Sequence, residues 1–283
     1  IKDAYVVTDG TTVLGADDKA GLAVMLEVIR VLKEQNIPHG EIQFIITVGE
    51  ESGLVGAKAL DRSLIKAKYG FALDSDGKVG DIVVAAPTQA KISVVVHGKK
   101  AHAGVAPEKG VSAITCAAKA IAKMPLGRID EETTANIGRF EGQGPTNVVC
   151  DRVEILAEAR SHVPEKMEKQ VRKMKEAFES TAAEMGARVE VDVEVLYPSF
   201  KFGAGDHVVE VAKKAAEKIG RTPRLLRSGG GSDANIIAGF GIPTVNLAVG
   251  YEDIHTTDEK MPIEELNKLA EMVLAIIDEV TNG

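Results

Sequence analysis

Cysteine is scarce in this chain: only Cys116 and Cys150 occur in 283 residues. That excludes a disulfide-stapled scaffold and suits a reducing compartment, so a cytoplasmic protein is expected. Surplus positive charge is also lacking. Lys and Arg number 34 against 42 Asp and Glu, a net charge of -8, which argues against a sequence-independent grip on nucleic acid. Long apolar runs are missing as well. Stretches such as Ile82 to Pro87 fall far short of the ~20 residues a membrane span needs, so no membrane partner is expected. There is no fixed-period repeat and no low-complexity tract, which removes solenoids and disordered linkers. Nothing after Ile1 reads as a signal peptide. What remains is 45% apolar and 27% charged, the balance of a globular chain with a real core.

Short runs rich in Val and Ile alternate with longer segments of helical period. Glu41 to Val48, Tyr69 to Leu73, Asp81 to Ala86 and Thr244 to Val249 read as strands. Lys19 to Gln35, Asp206 to Gly220 and Pro262 to Thr281 read as helices. The alternation predicts an α/β layer with a largely parallel sheet and flanking helices. The middle follows another rule. Strand (Lys91 to His97), helix (Pro107 to Met124), two strands (Thr133 to Phe140, Arg152 to Ser161), helix (Pro164 to Gly186) and strand (Arg188 to Val195) give a ferredoxin-like βαββαβ unit. Residues 89–198 are therefore read as an inserted domain, and residues 1–88 with 199–283 as the discontinuous domain that carries it.

Chemistry-bearing residues fall at the carboxyl ends of the expected strands. Glu50 and Glu51, in G-E-E-S-G, follow Glu41 to Val48. Asp74, in L-D-S-D-G, follows Tyr69 to Leu73. His255 follows Thr244 to Val249 by a short loop. Asp17 and Asp18, in G-A-D-D-K-A-G, open the helix near Lys19, where capping explains them as well as function does. Ligands of open α/β sheets gather at that edge. Carboxylates with one imidazole suit zinc or a similar divalent ion, and an unligated Glu could take a proton from a water the metal polarises. The placement points to a metal-assisted hydrolase.

Six motifs in order, G-A-D-D-K-A-G, G-E-E-S-G, L-D-S-D-G, G-K-K-A-H-A-G-x-A-P-E-K-G, G-G-G-S-D-A-N and I-H-T-T-D-E, resemble the di-zinc metallopeptidase family of peptidase T, carboxypeptidase G and succinyl-diaminopimelate desuccinylase. Peptidase T-like members are the nearest in pattern. The resemblance implies a zinc-exopeptidase-like fold with a lid and dimerisation domain, and two divalent ions, zinc first, with cobalt or manganese as alternatives. It implies that Asp17 bridges the metals, Glu50 is the general base, Glu51 and His255 hold one ion and Asp74 the other. It further implies that His102 reaches the substrate carbonyl, commonly in a homodimeric partner's site, and that Asn147, Arg160, Gly230 and Ser232 border the substrate. Without the resemblance, His102 reads as a surface histidine and Arg160 as an ion-pair partner of Glu158 or Glu154. The implied activity is amide hydrolysis of a small peptide, in the aminopeptidase or tripeptidase class. Alternatives are a deacylase or desuccinylase acting on an N-acyl amino acid, or a non-catalytic binding relative. That last alternative arises because the family's His-x-Asp motif is absent: none of the six histidines is followed two positions later by Asp. By the same resemblance, an N-terminal portion of about 80–90 residues is expected to be missing.

Overall fold

Ala20, Val24, Val28 and Leu32 recur at helical spacing, and all four are buried on one face of helix α1 (Ala16–Glu34) in the computed structural model, which describes residues Ile1–Gly283. Two units divide the chain: Ile1–Ala86 with Phe200–Gly283, and Pro87–Ser199.

The first unit opens with β1 (Tyr5–Val7), α1, a short α2 (Val55–Ala59), β2 (Gly70–Ser75) and β3 (Asp81–Ala86). The second holds β4 (Thr88–His97), α3 (Ala113–Lys123), β5 (Gly127–Arg128), β6 (Thr133–Gly142), β7 (Arg152–Ser161), α4 (Pro164–Met185) and β8 (Arg188–Tyr197). The first unit then resumes with β9 (Phe200–Lys201), α5 (His207–Lys218), β10 (Arg224–Arg227), α6 (Asp233–Gly239), β11 (Thr244–Ala248), β12 (Lys260–Pro262) and α7 (Ile263–Asn282).

In the first unit the main sheet runs β10-β3-β11-β2, with β9 beside β3. This corrects the largely parallel expectation. β10/β3 and β11/β2 are parallel, whereas β11/β3 and β3/β9 are antiparallel. The reason is the short link from Ser75 to Asp81. A parallel return needs a crossover of a dozen or more residues, and this link has no room for one. β11 is buried along its whole length, and Val245 and Leu247 pack with Val28, Val209, Ala212, Leu269 and Met272 from the helices.

A second correction concerns residues 41–48, which belong to no strand. Their composition favours a pleated surface, but a strand exists only beside a neighbour, and no ladder includes this segment. Ile46 and Val48 are exposed. Side chains fasten the segment instead. The Gln43 amide donates to the Leu64 carbonyl and accepts from the backbone of Lys66 and Ala67, and Thr47 donates to the Asp233 carboxylate. Gly56 lies so close that a Cβ there would sit 2.6 Å from the Val48 backbone, so only glycine fits.

The second unit forms an antiparallel sheet of order β5-β6-β7-β4-β8. Its four long strands take the ferredoxin-like order, and α3 and α4 bury Cys116, Ala117, Met174 and Phe178 with Ile92, Val94 and Ile155. The first of these helices is shorter than expected. Pro107–Lys109 form a separate 3-10 turn, and α3 begins only after Ser112, whose hydroxyl accepts from the Thr115 N–H as an N-cap.

Candidate metal centre and active site

Asp17 and Asp18 divide the two roles open to them. Asp18 accepts from the Gly21 N–H at 3.0 Å and so caps the first turn of α1. A Cβ on Gly21 would lie 2.5 Å from that carboxylate, so the glycine makes the cap possible. Asp17 faces a cavity of about 270 Å³ that Glu50, Glu51, Asp74, Gly230, Ser232 and His255 also line. One buried group aims the Asp17 turn. Glu259, 2% exposed, accepts from the Gly15 N–H at 2.5 Å and the Asp17 N–H at 3.0 Å.

His255 stands between two carboxylates. Its Nε2 lies 2.5 Å from Glu51 Oε1 and 3.0 Å from Asp17 Oδ2. The ligand atoms of Asp17, Glu51 and His255 all lie within 4.8 Å of one another. Asp74 lines the same cavity but is not part of that cluster. Its backbone is gripped by a side chain of the neighbouring strand: the Asp74 N–H donates to Asn246 Oδ1 at 2.9 Å, and Asn246 Nδ2 donates to the Asp74 carbonyl at 2.8 Å.

The electrostatics are those of crowded acids. Burial, with the charges of Glu51, Asp233 and Asp17, pushes the Glu50 carboxyl up to about 7. Burial lifts Asp18 to about 8. Asp74 rises to about 9, through burial and then the charges of Glu50, Asp18, Asp17 and Asp233. Asp17 is raised by burial and by Glu51, although the hydrogen bond from His255 opposes this. His255 is raised by its hydrogen bond to Glu51 and by that group's charge. No Lys or Arg lines the cavity. A donor set of carboxylates and one imidazole, with no side-chain ammonium or guanidinium to neutralise it, fits divalent cations.

The remaining expected residues divide between the two units. Gly230 donates its N–H to Ser228 Oγ at 3.0 Å. Ser232 is buried, and its hydroxyl oxygen caps α6 by accepting from the Ala234 N–H while also accepting from Asn246 Nδ2 at 3.1 Å. In the second unit His102 is exposed, its Nδ1 accepting from the Gly104 N–H at 3.2 Å. Asn147 lies beside that turn, its carbonyl accepting from the Ala103 N–H. Arg160 forms a two-pronged contact with Glu158 at 2.9 and 3.0 Å, the partner expected if the arginine serves an ion pair. Sequence reasoning missed Asn246, Glu259 and the Thr47–Asp233 contact. The first carried a signal: an amide inside the otherwise apolar V-N-L-A-V run has to be satisfied from within.

Comparisons with known proteins extend this picture. The model of peptidase family M20/M25/M40 matches residues 14–279. The uncharacterized protein YqjE of Bacillus subtilis (strain 168) is 74% identical over 279 residues, covering 99% of this chain and 75% of its own length. Peptidase T of Fusobacterium nucleatum is 30% identical over 283 residues, 98% of this chain and 68% of that protein. The crystal structure of aminopeptidase PepT from Bacillus cereus superposes with a TM-score of 0.93 at 78% identity, over 99% of this chain and 75% of that one. A tripeptidase structure from Staphylococcus aureus gives 0.97 at 56% identity, over 100% and 76%.

Proposed function

The chain belongs to peptidase family M20/M25/M40, and from that premise we propose that its acidic cavity is the metal centre of a peptidase T-like aminopeptidase acting on short peptides. One observation carries the reading: Asp17, Glu51 and His255 converge within 4.8 Å, and Glu50 lines the same cavity. Asp17, Glu51 and His255 would hold one divalent ion, and Asp74 with Asp17 would hold a second more weakly, two protein ligands falling short of the three that catalytic zinc ordinarily has. Zinc is the first choice, with cobalt or manganese as alternatives. Ions bound there would lower the pKa of a water and polarise the scissile carbonyl.

The chain's own residues do the rest. Glu50 takes the proton of the attacking water and returns it to the leaving amine. Asp17 is held for its role by Glu259, so its carboxylate enters the site without reorganising. Gly230 and Ser232 border the substrate on a loop whose geometry the α6 cap fixes. Residues 89–198 serve as lid and dimerisation domain of a cytoplasmic homodimer. There His102 donates to the developing oxyanion in the partner's site, and Asn147 and Arg160 hold the substrate.

The test is hydrolysis of tripeptides with a free N-terminus beside their N-acetylated counterparts, in zinc, cobalt or manganese and again with chelator. The reading expects release of the first residue from the free peptides only, lost with chelator. Cleavage of the N-acylated compounds alone would assign a deacylase, and chelator-resistant cleavage would remove the metal from the account.

A further inference from the structure

Where β2 meets β11, the register slips. Asn246 pairs with Ala72 and Leu247 with Leu73, but Ala248 pairs with Ser75. Asp74 is the extra residue, left without a Cα partner on β11. A residue bulged out of a ladder loses its backbone partners while its side chain is re-aimed. Here one carboxamide supplies both missing partners. Asn246 Oδ1 accepts from the Asp74 N–H and Nδ2 donates to the Asp74 carbonyl, as a neighbouring peptide group would. The second Nδ2 hydrogen goes to Ser232 Oγ at 3.1 Å, the hydroxyl that caps α6. Asn246 is 6% exposed, on a strand with no exposed residue, and its own backbone is paired on both sides, with Ala72 and Val83. The amide therefore has little freedom to rotate away.

We propose that Asn246 is a positioning residue that holds the Asp74 bulge and, through Ser232, locks the Asp74 carboxylate to the loop bordering the cavity. The proposal rests on the reading above, in which Asp74 is a metal ligand. No other side chain of similar size offers an acceptor and two donors in this arrangement. Leucine has the same number of side-chain heavy atoms and supplies neither; aspartate supplies the acceptor and loses both donors.

The experiment is zinc titration of the full chain past one ion per chain against a competing chelating dye, so that the affinity of the second ion is read, with unfolding by urea followed on the same samples. Wild type, Asn246→Leu, Asn246→Ser and Asp74→Asn are compared. Removing partners that orient a ligand costs about 10–100-fold in metal affinity, and a loss in that range is expected for Asn246→Leu in protein that is still folded. Asn246→Ser, whose hydroxyl reaches at most one of the three partners, carries the test should the leucine variant not fold, and the same range is expected of it. Cobalt(II) in place of zinc adds a second readout: the visible spectrum of the bound ion should change in the Asn246 variants. If Asp74→Asn leaves affinity unchanged, the reading of Asp74 as a ligand fails. If Asp74→Asn weakens binding while folded Asn246 variants lose only urea resistance and keep zinc affinity and cobalt spectrum, Asn246 merely stabilises the sheet and the proposal is overturned.

Discussion

Glu50→Gln separates catalysis from stability in opposite directions. The substitution keeps the shape and removes the charge, and the charge sits in a cavity with Glu51, Asp233 and Asp17 acting against it. A carboxyl moved from the ordinary 4.5 to about 7 corresponds to roughly 3 kcal/mol at ~1.4 kcal/mol per tenfold. The group is only partly buried, so solvent screening reduces that to about 1–2 kcal/mol. The sign follows from proton binding. Between pH 4.5 and 7 the folded chain holds a proton on Glu50 that the unfolded chain has released. Wild-type stability therefore falls as pH rises through that interval. The glutamine variant escapes this loss, so its advantage is absent at pH 4 and full above pH 7. Urea unfolding with chelator present, at pH 4 and pH 8, measures it. On tripeptides the same variant should lose about 10²–10⁴-fold in kcat, the usual contribution of a general base, with zinc content unchanged. Retention of a tenth or more of wild-type turnover would refute the base assignment, and equal unfolding midpoints at pH 8 would refute the electrostatics.

Other outcomes follow from the same geometry. Glu259→Gln leaves one acceptor oxygen for two backbone donors, so it should cost about 1–3 kcal/mol in urea unfolding and also weaken zinc binding; an unchanged midpoint would show that the Gly15–Asp17 turn stands without it. With chelator present, stability should keep falling as pH rises through 8 and 9, because Asp18 and Asp74 are raised to about 8 and 9, and zinc should flatten that slope; a pH-independent midpoint in chelator would contradict both shifts. Subunit exchange between inactive His102→Ala and Glu50→Gln proteins should restore part of the tripeptidase activity if His102 acts in the partner's site. No recovery in demonstrated mixed dimers would end that role.

The legible part of the site was the part built on strand ends and helix starts. Asp17, Asp74 and His255 could be named because α/β sheets gather ligands at one edge, and the order of the motifs sharpened the choice. The illegible part was whatever depended on which backbone groups lacked partners. Asn246 reads as one residue of a strand until the slip at Asp74 is seen, and Glu259 reads as an exposed acid in T-T-D-E although it is buried against the Gly15–Asp17 turn. Residues 41–48 differ from the sequence expectation for a related reason. Their β-branched composition records readiness to pair, while pairing depends on a neighbour that sequence composition does not specify. The sheet's mixed direction was decidable in principle, because the link from Ser75 to Asp81 is too short for a parallel return.

The most direct test of the central claim counts zinc tightly bound per chain by dialysis and elemental analysis, in wild type and in His255→Ala. Three donors meeting within 4.8 Å should hold at least one ion in wild type. Removing the imidazole leaves only two carboxylates, short of the three protein ligands zinc sites ordinarily use, so His255→Ala should lose that ion while remaining folded. Equal zinc content in the two folded proteins would contradict the assignment of Asp17, Glu51 and His255 as the metal centre.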